Sequence, residues 1–139
     1  MKKLLLPIFV LAVTLTGCYY DEGPVISLRT PENRLVNKWE YQKVTVNGQD
    51  WTDVFKNGYI EFKSDKSSTF YLDSSYQYNA AWEFSDDFKN LYLDCIRQDT
   101  AGDDVTWSVD YYIMKLRDKE LWMKSDDGSS VTYIELSEY

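Results

Sequence analysis

The residues best equipped for chemistry in this chain are few, and their kinds narrow what it can do. Among its 139 residues there is no histidine, so the commonest general base at neutral pH is missing, and with it His-dependent triads and most zinc or copper sites. The two cysteines, Cys18 and Cys95, keep very different company. Cys95 shares an alternating stripe with Leu91 and Leu93 and has no cationic cluster beside it, which describes a buried, inert thiol. Carboxylates are plentiful, but Glu61, Glu83, Asp94, Asp110 and Glu120 fall within or at the start of expected strands, where alternation turns several to solvent. No acid pair for hydrolysis is read from them, and no enzyme activity is expected. Asp86-Asp87, Asp103-Asp104 and Asp126-Asp127 supply oxygens in turns without the spacing of a calcium loop, so neither a metal nor a cofactor is expected. What remains is an unusual supply of rings, 12 Tyr, 5 Trp and 6 Phe, suited to filling a core or to holding a flat ligand.

Rings need elements to place them, and here the pattern is of strands. From residue 35 onward short apolar-rich segments alternate with turn residues. Residues 38–46 read as a first strand ended by the hairpin signal Asn47-Gly48, and residues 50–56 read as either a helical turn or a connecting loop. Further strands are expected at 59–63, 69–73, 78–84, 91–97, 105–116, 120–124 and 131–137. Tyr78, Ala80, Trp82 and Phe84 form a clean period-two stripe. Residues 105–116 carry two phases, Val105 to Ile113 on one and Met114 with Leu116 on the other, which predicts a β-bulge or bend near residues 112–114. Eight strands joined by short hairpins predict an all-β fold, an eight-stranded antiparallel up-and-down barrel, closed or half-open, because closure removes exposed edges. A two-sheet β-sandwich is the alternative.

The N-terminus sets where the chain resides. Lys2 and Lys3 precede a thirteen-residue run, 4–16, interrupted by Pro7 and Thr14. The run is too short to span a bilayer, which takes about 20 residues, and has the form of a secretory signal. It ends in Leu15-Thr16-Gly17-Cys18, which resembles the bacterial lipoprotein box. The resemblance implies cleavage after Gly17 and acylation of Cys18, with several acyl chains anchoring the protein firmly. The organisation is thus a signal peptide at 1–17, a lipidated tether at 18–34 and one barrel domain at 35–139. The expected location is the outer membrane, on its periplasmic face or at the cell surface. With Cys18 acylated only Cys95 is left, so the domain is expected to stand without an internal disulfide. The net charge of −8 becomes more negative once Lys2 and Lys3 are removed, which argues against nucleic acid and against broad contact with anionic lipid.

Several segments together, LVNKWEYQKVTVNGQD, NGYIEFKSDKSSTFYL, the Trp strand ending in FSDDFKNLYL, and LRDKELWMKSDDGSSVTYIELSEY, are similar to small lipocalin-like lipoproteins of the Bacteroidota. Trp39 stands where that family carries its first-strand Trp, with Asn37 in place of the usual glycine. The resemblance implies a meander barrel and no enzyme activity. Two functions follow as expectations for a monomer. The first is binding of one small apolar or glycan-like ligand, in or at the mouth of the barrel, by Trp39, Tyr41, Trp82, Phe84, Trp107 and Tyr111. Phe62, Phe70, Trp122 and Tyr133 are further inward candidates. The second is a docking module for an envelope protein, its barrel filled with side chains, with Trp51, Phe55 or Trp122 as anchors.

Overall fold

The computed structural model describes residues 28–139; the expected signal peptide at 1–17, Cys18 and most of the expected tether lie outside the described residues. Part of the stretch read as tether, 18–34, is helical. Helix α1, Pro31–Leu35, is capped by the Thr30 side chain, which accepts from the Asn33 N–H. Pro31 fits the first turn of a helix, where its missing N–H is no loss. Arg34 and Leu35 are buried, and the Arg34 guanidinium donates to the Leu116 carbonyl at 2.8 Å.

The strands follow as β1 Lys38–Val46, β2 Gln49–Asp50, then helix α2 Thr52–Phe55, β3 Tyr59–Phe62, β4 Ser67–Asp73, β5 Tyr76–Phe84, β6 Asn90–Gln98, β7 Asp104–Leu116, β8 Glu120–Asp126 and β9 Val131–Glu138. Apart from the short β2, which pairs on β1, each strand from β3 onward pairs antiparallel with its successor. β1 pairs with both β3 and β9, from Trp39↔Glu138 to Val46↔Thr132. That last ladder decides between barrel and sandwich, because it leaves an eight-stranded antiparallel, lipocalin-like barrel with no open edge.

Side-chain parity sets inside from outside. In β6, Leu91, Leu93 and Cys95 are buried while Tyr92, Asp94 and Ile96 are exposed. The phase change expected near residues 112–114 is a register shift between Ile113 and Lys115, opposite Met123 and Trp122. It turns Leu116 inward and sends Lys115 out over the Trp122 ring, 3.8 Å from its centre. Trp122 and Tyr133 therefore lie on the outward face, contrary to expectation, since Leu121, Met123, Ile134 and Leu136 hold the inward positions of β8 and β9.

The core is densest at the end where α1 sits. Leu35, Trp39, Phe62, Leu116, Leu121 and Leu136 are all essentially inaccessible there, and the Trp39 Nε1 donates to the Leu35 carbonyl at 2.9 Å. Among the described residues no helix is long and apolar enough to cross a membrane.

Candidate functional site

At the other end of the barrel the filling stops short. Between the last residues of β1 and β4, the first residues of β5 and β9, and α2 lies a cavity of about 290 Å³. Val44, Val46, Leu72 and Ile134 supply aliphatic wall, Phe55 and Phe70 supply aromatic wall, and Tyr41, Tyr76, Tyr78 and Tyr111 bring phenols. No charged side chain lines it.

Each ring is placed by the pleat. Tyr76 and Tyr78 continue the inward stripe of Ala80, Trp82 and Phe84 beyond the filled half. Tyr78 stacks on Phe70 with centroids 4.6 Å apart, and Trp107 packs against it edge-on at 5.0 Å. Phe55 reaches in from α2 to Tyr41 at 5.2 Å. α2 is held by the Thr52 hydroxyl, which accepts the Val44 N–H at 3.1 Å, and by the Gly58 N–H, which donates to the Phe55 carbonyl at 2.8 Å. Gly58 tolerates no side chain, because a Cβ there would collide with the Tyr71 carbonyl.

The electrostatics of the cavity come from its phenols. Burial pushes the Tyr41 and Tyr78 hydroxyls well above their ordinary range, and neighbouring phenols add to the shift. Tyr111 is pushed up to about 12 by burial, with Cys95 adding to it. Burial also raises the Cys95 thiol to about 11, and the Asp94 charge contributes. All four groups are therefore neutral at physiological pH. The hydroxyls of Tyr41, Tyr78 and Tyr111 make no hydrogen bond to the described residues, and none is sealed from solvent. Three phenols whose hydroxyls bond no described residue thus line the cavity, and Tyr41 and Tyr111 are more than nine-tenths buried.

The chain matches no family model and no curated protein.

All six ring positions singled out from the sequence point inward, but the structure divides them. Tyr41 and Tyr111 line the cavity, and Trp107 packs behind Tyr78. Trp39, Trp82 and Phe84 belong to the filled half. Trp82 packs edge-on against Phe62 and Phe84, and its Nε1 is shared between the Ser67 and Lys63 carbonyls at 3.1 and 3.2 Å. The indole N–H groups of Trp39 and Trp82 are thus both bonded to backbone, and Trp82 and Phe84 border a separate cleft with Lys66 and Phe88. Sequence reasoning missed Tyr76, Tyr78 and Arg97 as residues of the open half. For Tyr78 the signal was its place in the β5 stripe, and for Tyr76 the same stripe read two residues further back. For Arg97 it was a cation on the same parity as Leu91, Leu93 and Cys95. Among the described residues no group of three or more Cys, Asp or Glu is arranged to hold a metal ion.

Proposed function

We propose that this chain is a non-enzymatic, lipid-anchored cell-envelope protein, akin to the small lipocalin-like lipoproteins, whose half-filled barrel holds one small, largely apolar ligand. The observation that carries the reading is an otherwise apolar cavity lined by three phenols whose hydroxyls bond no described residue. Phenol hydroxyls left to solvent add little to folding, whereas apolar walls with a few convergent polar groups are what a ligand site requires. Between apolar and sugar-like ligands the walls favour the former, because a hexose would bury more hydroxyls than three phenols can pair.

The test is titration of the purified protein with neutral aromatic and alicyclic compounds such as indole, p-cresol and cyclohexanone, followed by tryptophan fluorescence and calorimetry. Saturable binding that is abolished by Val46→Trp, which fills the cavity from its rim, supports the reading. Absence of saturable binding, or binding indifferent to Val46→Trp, overturns it. The anchor is tested separately: Cys18→Ala should move the protein from the membrane fraction to the soluble fraction, and unchanged partitioning would refute acylation at that cysteine.

A second reading, docking onto an envelope protein, rests on α2, where Trp51 and Val54 stay 44% and 58% exposed. Trp51→Ala separates the two, since it should leave ligand affinity intact and weaken only association with a protein.

A further inference from the structure

The geometry points to Arg97 as the anchor for an acidic group on the ligand, so that the barrel takes a compact apolar body inside and a carboxylate at its mouth. This rests on the reading of the cavity as a ligand site. Along β6 the inward positions run Leu91, Leu93, Cys95 and then Arg97, so the pleat sends a guanidinium toward the interior at the open end. Continuing the β5–β6 register past its last pair, Asn79↔Ile96, sets Arg97 across from Tyr78.

The guanidinium carbon stands 4.8 Å from the centre of the Tyr76 ring. Tyr76 lines the cavity, and its ring lies 6.2 Å from that of Tyr78. Stacking accounts for the face of the guanidinium but not for its edge. Arg97 is half-buried, and its Nε is wholly buried without a hydrogen-bond partner. The side chain forms no hydrogen bond or ion pair with the described residues.

The acid nearest in sequence is already committed. Asp99 feels the Arg97 charge, but its carboxylate accepts the Ala101 and Asp103 N–H groups at 2.8 and 3.0 Å and holds the β6–β7 turn. A protein of net charge −8 thus leaves an arginine unpaired against Tyr76, a ring of the cavity wall, while its side chain borders the adjoining cleft that shares Tyr78 with the cavity and also holds Asp99 and Asp104. The planar fork of arginine suits a carboxylate, which it can grip through two parallel hydrogen bonds. The cavity wall carries no charge, and an anion buried deeper would lack a counter-ion. The charge of an acidic ligand therefore belongs at Arg97, with the rest of the molecule between Phe70, Tyr78 and Tyr111.

The experiment measures benzoate, phenylacetate and 3-phenylpropionate, each against its own amide, by calorimetry on the full chain. At least one acid should bind about tenfold tighter than its amide. In Arg97→Gln that preference should vanish while amide affinity stays within about twofold, and Arg97→Lys, keeping the charge without the fork, should restore only part of it. Circular dichroism of each variant reports its folding. Acid and amide binding alike to the native protein, or a preference that survives Arg97→Gln, overturns the role of Arg97 and leaves the cavity reading standing. Failure of every acid and every amide to bind overturns both.

Discussion

Trp39 and Tyr111 are both buried aromatic residues, yet their substitutions should behave in opposite ways. The Trp39 indole is inaccessible and donates to the Leu35 carbonyl. Trp39→Ala removes the ring and a satisfied hydrogen bond together and should cost about 3–5 kcal/mol, measurable as a lowered urea midpoint. The Tyr111 hydroxyl has no partner to lose. Tyr111→Phe should leave stability unchanged or raise it by up to about 1 kcal/mol, while weakening a ligand that accepts its hydrogen bond about fivefold. A variant that loses stability and affinity together would mark the hydroxyl as structural. Cys95 offers a third check. With its thiol raised to about 11 and its side chain 3% exposed, it should resist iodoacetamide in the folded protein at about pH 8 and react once urea unfolds the chain. Rapid labelling of the folded form would show that β6 opens away from its neighbours.

Among the elements, the barrel strands are legible, α2 is legible as one of two readings for residues 50–56, and α1 is not. Period-two stripes such as Tyr78–Ala80–Trp82–Phe84 persist because β5 is buried on one face only, so each turn of the pleat is written in the residue types. The phase change at Met114 was visible for the same reason. Five-residue α1 has no periodicity to read; its role comes from Arg34 reaching Leu116, far along the chain. Trp122 and Tyr133 were assigned to the wrong face because β8 and β9 carry bulky apolar residues on both faces, and parity alone does not choose between them. Where the filling stops is likewise a sum over strands distant in sequence, which no single stripe records. α2 is the element whose position bears most on the cavity, and Gly58 fixes it. Gly58→Ala should displace the 52–58 segment to relieve the clash with Tyr71, lowering ligand affinity more than Tm. Equal effects on both would mean that α2 is integral to the barrel's stability.

For the whole molecule, the absence of histidine and the distribution of the other titratable groups define the pH range of stability. Hydrogen bonds hold several turn carboxyls below their ordinary 3.8: chiefly side-chain hydroxyls at Asp50, Asp65, Asp87 and Asp127, and backbone N–H groups at Asp73 and Asp99. A lowered folded value adds stability above the unfolded value and loses it as pH falls through the folded one. The buried phenols act in reverse. Their stabilisation is complete below the ordinary value of 10.0 and is lost as pH climbs toward the raised values, about 12 for Tyr111. Calorimetric Tm should therefore be flat between about pH 5 and 9 and fall on both sides. A step near pH 6.5 would contradict this.

The described chain enters at the α1 end, where Arg29 pairs with Asp118 at 3.2 Å, while Val46, Tyr76 and Thr132 ring the opposite rim. Ten residue steps lead from Cys18 to Leu28, a reach of at most about 35 Å. Under the proposed acylation of Cys18, the barrel would stand with its sealed base toward the lipid and its opening toward the surrounding aqueous compartment. A ligand held as proposed would then enter and leave by diffusion from that side, without the bilayer as an intermediate stop.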